Sequence, residues 1–295
     1  MDILCVGDLN GDLIVPYGKA LKQSKGEDPV QVSFRVGGTV SNTVQFLGRL
    51  GDHPYFVGDL CGDSIGRSIQ EELRKLGVDL SYSREGNNVA MLCVAVLDEN
   101  GDRLILPWLP PGSTLPRLNR ESFALIPRKD YWLFSSGMMM TGEEETMKSV
   151  ADFFREMKET TGSVTLFDLN LRIESYGLNP LRRHYYEEMI ALSDVIIGNY
   201  EGELRFFTSS DDMEEGCMAL GQDRIVICHN GAKDVLVVDH GEAFRVPVIP
   251  VETQHTIGAG DVFNAGILHG FSRGMNCREA VEEGVIQARN YLTEE

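Results

Sequence analysis

The residues most suited to chemistry lie in a glycine-rich segment near the C-terminus. Residues 256–266 read TIGAGDVFNAG, and the spacing of Phe263, Ile267 and Phe271 predicts that this segment runs into a helix. A turn without bulky side chains at a helix start exposes several backbone N–H groups, which together with the helix dipole bind an anion. The segment therefore predicts an anion site at residues 258–261.

The aspartate of this segment, Asp261, needs a role of its own because its negative charge faces the bound anion. Taking the proton from an attacking hydroxyl group during phosphoryl transfer is such a role. The spacing fits a simpler alternative equally well, in which Asp261 only favours the helix N-terminus and the glycines only form a turn. The residues alone leave both interpretations open.

Two common nucleotide-binding motifs are absent from the sequence. It contains no G-x-x-x-x-G-K-[ST] P-loop, and no G-x-G-x-x-G opens the first predicted strand and helix. A phosphate site must therefore be sought at other helix starts, which again favours residues 258–261.

Alternating strands and helices are predicted to position these residues. Short apolar runs predict buried strands at residues 2–6, 54–57, 131–135, 163–167, 194–197 and 224–228. Helical spacing of apolar residues appears between them, at positions 40, 44 and 47 and at positions 65, 69, 73 and 76. The alternation predicts an α/β fold whose mainly parallel sheet carries helices on both faces.

Two segments, residues 13–36 and 79–108, interrupt this alternation with strand-like pieces and little helix signal. They predict a small β-sheet outside the main one, which would act as a lid. No internal repeat or long linker occurs in the sequence. We therefore expect a single domain over residues 1–295, with the lid segments inserted in its α/β core.

The composition argues against several classes of function. The 45 acidic and 27 basic residues give a net charge of -18, so we expect no attraction to nucleic acid or to an anionic membrane. The cysteines include no C-x-x-C pair and the histidines have no ligand-like spacing, which predicts no metal site held by protein side chains. No signal peptide and no apolar run of membrane-spanning length occurs, so a cytoplasmic location is expected.

Several motifs occur together in an order that resembles one family. GAGD followed by FN, and the Gly-Gly pair at residues 37–38 with Asn42 four residues further on, are similar to the two signatures of the ribokinase (PfkB) family of carbohydrate kinases. GDLNGD at residues 7–12, VGD at 57–59, GDSIG at 62–66 and DLNLR at 168–172 match in family order as well. The resemblance covers nearly the whole chain.

The resemblance implies a ribokinase-like three-layer α/β/α core with a β-sheet lid that closes over a sugar. It implies ATP-dependent phosphorylation of a hydroxyl group of a small sugar or sugar acid, with ATP and Mg2+ as cofactors. By resemblance, Asp261 is the base, and the backbone amides of Gly258, Ala259 and Gly260 form the anion hole for the transferring phosphoryl group.

The resemblance also implies a sugar site. Asp12 matches the family's sugar-binding acid, and a carboxylate that accepts from two adjacent hydroxyl groups suits a polyol; taken alone, Asp12 fits a solvated turn residue better. Asn42 fits a residue bonded to its own backbone equally well. Arg172 suits a substrate carboxylate or ring oxygens, and equally a structural ion pair. The substrate-binding candidates are Asp12, Asn10, Gly37, Gly38, Asn42, Arg172 and Asp168.

The nucleotide side departs from the family pattern at an element that resembles Asn-x-x-Glu, which helps to organise magnesium and phosphates. Asn199 matches its first residue, but Gly202 stands in the fourth position. Acidic residues stand on either side of this glycine, at Glu201 and Glu203, and a shift of one residue would restore the role to either.

Three further departures lie on the nucleotide side. Gly231 and Lys233 resemble the start of the family's nucleotide-side turn, but Asp234 replaces its last glycine. His255 stands where the family usually has aspartate, and the chain ends close behind the last predicted helix, where relatives often continue. The nucleotide-binding candidates are Asn199, Glu201, Gly231 and Lys233.

These departures motivate an alternative in a different class of function, a catalytically weakened relative that binds a sugar or nucleotide and signals its presence. A nucleoside kinase is a second alternative, ranked below a sugar kinase because the D-x-N-x-R element at residues 168–172 resembles that of the kinases for 2-keto-3-deoxygluconate and fructose. The expected partners are a small sugar or sugar acid and ATP. A homodimer through the lid is expected from the resemblance.

Overall fold

The computed structural model of the protein describes residues 1–16, 32–86, 88–97, 103–108, 118, 120–253 and 256–293. The strands of this part of the chain are β1 (Asp2–Val6), β2 (Asn10–Pro16), β3 (Ser33–Gly37), β4 (Tyr55–Val57), β5 (Asp59–Cys61), β6 (Arg84–Gly86), β7 (Leu92–Leu97), β8 (Arg103–Trp108), β9 (Tyr131–Ser136), β10 (Val164–Asp168), β11 (Val195–Asn199), β12 (Ile225–Asn230), β13 (Lys233–Asp239) and β14 (Glu242–Val246).

The helices of the same part are α1 (Thr39–Arg49), α2 (Ser64–Lys75), α3 (Arg120–Phe123), α4 (Glu144–Thr160), α5 (Ile173–Tyr176), α6 (Pro180–Leu192), α7 (Met213–Leu220), α8 (Ala259–Ser272) and α9 (Cys277–Thr293), with short 3-10 turns at Gly137–Thr141 and Leu204–Phe207. None of these helices has both the length and the apolar composition that a bilayer crossing requires.

The main sheet has eight strands in the order β14-β13-β12-β11-β10-β9-β1-β4. Strands β4, β1, β9, β10, β11 and β12 run parallel, and β13 and β14 extend the sheet antiparallel. The parallel strands are the six that the apolar runs predict. They are recognisable in the sequence because a strand covered on both faces is apolar throughout, whereas β14 at the edge is largely exposed.

The core forms one layer on each face of the main sheet, because successive strand residues point to opposite sides. In β1, Leu4 and Val6 belong to the cluster that contains α4 and α6. Ile3 and Cys5 belong to the cluster that contains α1, α2, α8 and α9. The predicted three-layer α/β/α architecture is confirmed.

A second, four-stranded sheet in the order β3-β2-β7-β8 lies apart from the main sheet. Its strands come from the two segments that the sequence predicts as lid, residues 13–36 and 79–108, and from the residues just before the first of them. Residues 17–31, 87 and 98–102 of these segments lie outside the described residues. That this sheet acts as a lid within a single domain of residues 1–295 stays a prediction.

The candidate site residues gather at one edge of the main sheet. Asp8 follows the end of β1, Asp168 ends β10, and Asn199 ends β11. Because these strands are parallel, their carboxyl ends lie at the same edge, which is where open α/β sheets bind their ligands.

Helices α8 and α9 approach each other at glycines. A Cβ atom on Gly266 would lie 2.7 Å from the Cα atom of Gly284, and one on Gly284 would lie 2.9 Å from the carbonyl oxygen of Phe263. Contact between backbones leaves no flexible side chain that could move aside. The close packing therefore depends on glycine, and it fixes α9 against the helix that begins at the glycine-rich turn.

We expect Gly266→Ala to lower the free energy of unfolding by about 1–3 kcal/mol, because the added methyl group forces the two backbones apart. Chemical denaturation measures this change. Gly260→Ala is the matched control in the same helix, since a Cβ atom there would meet nothing within 4 Å. A Gly266→Ala variant as stable as Gly260→Ala would contradict this account of the packing.

Candidate active site

The glycine-rich turn leads directly into α8, as the sequence predicts. Gly258 caps the helix with a φ of 85°, a left-handed conformation that glycine adopts without strain. The amide of Ala259 donates to the carbonyl oxygen of Thr256 at 3.3 Å. The amides of the first turn of a helix have no acceptor within the helix, so Gly258 and Gly260 present N–H groups at this end of α8.

Asp261 lies in the first turn of α8 and is bound by α1. The side-chain amide of Asn42 donates to its Oδ2 atom at 2.8 Å. Burial raises the pKa of Asp261 to about 7, and the charges of Asp8 and Asp12 act in the same direction. The Asn42 hydrogen bond and the charge of Arg172 oppose this rise. Asn42 thus bonds across the site and not to its own backbone.

Asp8 is a site residue to which the sequence analysis assigns no role, although it belongs to the GDLNGD motif. It is only 5% exposed, and its carboxylate accepts from the amides of Thr39 at 2.8 Å and Val40 at 3.1 Å. It therefore caps α1, whose own cap residue, Gly38, has no side chain to do so. Burial raises the pKa of Asp8, and the two amide hydrogen bonds oppose the rise.

Asp12 lies within β2 and is half-buried, so the interpretation as a solvated turn residue is wrong. The side-chain amide of Asn10 donates to its Oδ1 atom at 2.6 Å. A Cβ atom on Gly37 would lie 2.2 Å from the same carboxylate, so a larger residue at this strand position would displace the Asp12 side chain. Burial raises the pKa of Asp12 to about 6, and the Asn10 hydrogen bond opposes the rise.

The DLNLR element forms a short chain of hydrogen bonds after β10. Asn170 donates to the hydroxyl of Thr39 at 2.8 Å and accepts from Arg172 Nε at 2.9 Å. Both residues have positive φ angles, 35° for Asn170 and 44° for Arg172. Arg172 is exposed and takes part in none of the ion pairs found among the described residues, which speaks against the structural ion pair.

A buried acid, Asp168, ends β10. Asp168 Oδ2 accepts from the side-chain amide of Asn264 at 2.9 Å, and Asn264 Oδ1 is buried without a partner in the described part of the chain. Burial raises the pKa of Asp168 well above its ordinary value, and the charges of Glu203 and Asp261 add to the rise. Asn264 follows the GAGD motif and is a site residue that the sequence analysis missed.

The structure distinguishes the two acids beside Gly202. Glu203 is 9% exposed and accepts from the amides of Leu171 at 3.1 Å and Asn199 at 2.8 Å. Glu201 is exposed and pairs with Arg205 on the surface at 3.0 Å. Glu203, and not Glu201, therefore faces the site together with Asn199, whose Oδ1 atom accepts from the amide of Gly202 at 2.7 Å.

A mostly apolar pocket of about 310 Å3 adjoins the start of α8. Ala259 and Gly260 form one part of its wall, and Gly231 and Ala232 form another. Burial lowers the pKa of the lining His229 to about 4, so its imidazole is neutral. The remaining walls are residues 248–251 and one face of α9, with Val285, Ala288, Arg289 and Leu292.

Two of the sequence departures have a structural account here. Asp234 Oδ1 accepts from the amide of Val248 at 3.2 Å, so it holds a wall of the pocket. Helix α9, which corresponds to the last predicted helix, itself forms one wall of the pocket. Lys233 begins β13, is exposed and is not part of the lining, and His255 lies outside the described residues.

The arrangement defines a class of enzyme. A carboxylate with a raised pKa at a glycine-rich helix start, next to an apolar pocket and within electrostatic reach of further carboxylates, is suited to phosphoryl transfer. The sequence model described as pfkB family carbohydrate kinase matches residues 1–290, and the chain belongs to this family.

Known relatives agree with this assignment. A fructokinase from Klebsiella pneumoniae is 28% identical over 240 residues, which cover 80% of this chain and 76% of that protein. A 5-dehydro-2-deoxygluconokinase from Shouchella clausii is 25% identical over 97% of this chain and 88% of that protein. The crystal structure of apo fructokinase from Vibrio cholerae O395 matches with a TM-score of 0.82 at 25% identity, covering 100% of this chain and 99% of that chain.

The protein is therefore a carbohydrate kinase with a ribokinase-like fold, a phosphotransferase that acts on an alcohol group. Its family uses ATP as the phosphoryl donor, and its acceptor is sugar-like.

We expect Asn42→Ala to raise the pKa of Asp261 above the value of about 7, because the substitution removes a hydrogen bond that favours the charged carboxylate. A titration of the 13C-labelled Asp261 carboxylate by NMR measures the shift. Gln287→Ala, which removes an amide bonded to Glu283 on α9, should leave this pKa unchanged. An unaltered titration of Asp261 in Asn42→Ala would disprove the role given to Asn42.

Proposed function

We propose that the protein transfers the γ-phosphoryl group of ATP to a hydroxyl group of a small sugar or sugar acid, with Asp261 as the base. The position of Asp261 carries this proposal, since its carboxylate stands in the first turn of α8 beside the exposed amides. The pKa of Asp261, about 7, lies near neutral pH. A carboxylate with such a pKa accepts a hydroxyl proton more readily than one at the ordinary value of 3.8.

The anion hole of this reaction consists of the amides of Gly258 and Gly260, with a smaller share from Ala259. Phosphoryl transfer passes through a loose transition state, so positioned N–H donors and the helix dipole supply much of the stabilisation. Ala259 contributes less because its amide is already directed towards the Thr256 carbonyl.

The acceptor binds between the second sheet and the edge of the main sheet. Asp12 receives two neighbouring hydroxyl groups, and Asn10 keeps its carboxylate oriented. Gly37 and Gly38 allow the backbone to come close to the ligand, and Asn42 links this site to Asp261. The second sheet closes over the acceptor as a lid and excludes water, which would otherwise compete for the phosphoryl group.

The side chain of Arg172 favours a phosphoryl acceptor that carries a carboxylate or accessible ring oxygens. Its guanidinium is exposed, its Nε atom donates to Asn170, and its charge partly opposes the rise in pKa of Asp8, Asp12 and Asp261. A planar guanidinium in this position suits bidentate recognition of an oxygen pair. Asp168 belongs to the same acceptor-binding surface, and the hydrogen bond that it accepts from the Asn264 side chain holds its carboxylate in place.

The nucleotide base occupies the apolar pocket next to Gly231, and the phosphates extend from it to the start of α8. Mg2+ prefers oxygen ligands and keeps several waters. The Asn264 oxygen, which has no partner among the described residues, the buried Asp168 and Glu203, and the half-buried Asn199 are oxygen-bearing groups that suit it. The described residues include no ready-made group of three metal-binding side chains, so the phosphates and water would hold the cation, and these residues would bind its waters.

The decisive experiment measures ADP release from ATP and Mg2+ over pentoses, hexoses, sugar acids and nucleosides. We expect turnover on one of these compounds, and we expect Asp261→Asn to lower kcat by about a hundredfold or more while the acceptor affinity is kept. A variant with wild-type kcat would show that Asp261 is not the base. Turnover confined to nucleosides would favour the nucleoside kinase.

The same variant gives its own control for folding. The folded-state pKa of Asp261 lies above its unfolded value, so its charged form costs stability, and this cost grows as the pH rises from about 4 to about 7. Removing the charge in Asp261→Asn should therefore raise the melting temperature at about pH 8, and the gain should shrink as the pH falls. Lost turnover with a higher melting temperature separates loss of the base from loss of the fold.

The catalytically weakened binding protein is the remaining alternative. It predicts that a sugar or nucleotide raises the melting temperature without any ADP release, since a ligand stabilises the folded state that binds it. The structure offers less support for it than the sequence does, because Glu203 restores an acid beside Asn199 and Asp234 has a structural partner.

We also propose that the second sheet joins two copies of this chain. Directly paired residues of neighbouring strands point to the same face, so the register places Leu13, Phe34, Val94 and Leu106 together on the face opposite Asp12. Leu104 and Trp108 extend this face, and both are at least 49% exposed. An uncharged face lets two chains of net charge -18 approach each other with little repulsion.

We expect the wild-type mass in sedimentation to be twice the 32.8 kDa of one chain. Leu106→Lys should give monomers, because a buried unpaired charge in the interface is costly. Ile286→Lys, at an equally exposed apolar position on α9, is the matched control and should stay dimeric. A monomeric wild type, or a dimer that tolerates Leu106→Lys, would exclude this interface.

A further inference from the structure

Tyr291, in the last turns of α9, touches the glycine-rich turn. Its hydroxyl donates to the carbonyl oxygen of Ile257 at 2.7 Å. A Cβ atom on Gly258 would lie 3.2 Å from the same hydroxyl oxygen. The hydroxyl of Tyr291 therefore lies against the peptide group that joins Ile257 to Gly258.

This peptide group connects Tyr291 to the proposed anion hole. The carbonyl of Ile257 and the N–H of Gly258 belong to one planar trans unit, in which the two groups point in opposite directions. A hydrogen bond that holds the carbonyl therefore also sets the direction of the N–H on the other side. It polarises the peptide group as well, which strengthens the N–H as a donor.

Tyr291 is itself held in place by the helices around it. Its ring meets the ring of Phe46 edge to face, with centroids 5.2 Å apart and planes at 81°. Phe46 lies one helical turn after Asn42 on α1, and the guanidinium of Arg49 covers its ring at 4.8 Å. The glycine contacts between α8 and α9 fix the helix that carries Tyr291.

We propose that Tyr291 is a positioning residue of the phosphoryl transfer, which orients the Gly258 amide through the Ile257 carbonyl. The proposal rests on the proposed function, since it gives Gly258 a place in the anion hole. Tyr291 acts only through the backbone and touches neither substrate. Its hydroxyl is therefore required in the transition state more than in the binding of either ligand.

Tyr291→Phe tests this role because it removes only the hydroxyl and keeps the ring on Phe46. We expect kcat to fall by about three- to tenfold, the usual value of one hydrogen bond. The affinity for ADP with aluminium fluoride, a mimic of the transferring phosphoryl group, should fall by a similar factor. The KM of the acceptor and the pH midpoint of kcat should stay unchanged, because Asp261 and the acceptor site are untouched.

Tyr200→Phe is the matched control, since the Tyr200 hydroxyl also donates to a backbone carbonyl, that of Ser210, at 2.7 Å. It should leave kcat unchanged. Wild-type kcat and wild-type affinity for the mimic in Tyr291→Phe would overturn the proposal. A drop in melting temperature with an equal loss in all ligand affinities would also overturn it, because that result indicates a purely structural role.

The amide signal of Gly258 in 15N-labelled protein separates a failure of this proposal from a failure of the proposed function. We expect Tyr291→Phe to shift this signal and Tyr200→Phe to leave it in place. This measurement requires no turnover, so it applies even if the wild-type protein phosphorylates none of the acceptors. An unshifted Gly258 signal in Tyr291→Phe would overturn the link between the two residues.

Discussion

The site depends first on the buried carboxylate of Asp8, which accepts from the amides of Thr39 and Val40 at the start of α1. This interaction joins the end of β1 to a helix that has no capping side chain of its own. Because it fixes where α1 begins, it also fixes Asn42, one turn further on, against Asp261. The proposed acceptor side and the proposed base are thus held together by one helix, whose start is fixed by the carboxylate of Asp8.

Negative charge is the main electrostatic problem of this site. Asp8, Asp12, Asp168, Glu203 and Asp261 lie at one edge of the sheet, and burial raises the pKa of each. Backbone amides, asparagine side chains and Arg172 partly offset this rise. The result is that Asp261, the proposed base, has a pKa near neutrality, but also that the region repels phosphates unless a divalent cation accompanies them. The glycine-rich helix start supplies the remaining attraction for the anion.

On the proposed nucleotide side, the described residues that depart from the family pattern have defined partners in the structure. Gly202 stands in the expected acidic position, and its backbone amide donates to the side chain of Asn199. The next residue, Glu203, supplies a buried carboxylate that accepts from the backbone amide of Asn199. An aspartate replaces the last glycine of the nucleotide-side turn and ties β13 to the wall of the pocket. Helix α9 closes the pocket and also reaches the glycine-rich turn through Tyr291. The partners of Gly202 and Glu203 include the nearby Asn199, whereas the contacts of Asp234 with Val248 and of Tyr291 with Ile257 join segments further apart in the chain.

The sequence alone determined the six parallel strands, the three layers and the glycine-rich helix start, because hydrophobic periodicity and turn residues are local properties that a short window contains. It also located Asp261, Asp12 and Asn42, since their motifs are contiguous. The choice of Glu203 over Glu201, the capping role of Asp8 and the contact of Tyr291 with the Ile257 carbonyl were decided only by the tertiary structure. Exposure, desolvation and hydrogen-bond partners depend on which distant segments meet, and no local pattern records that.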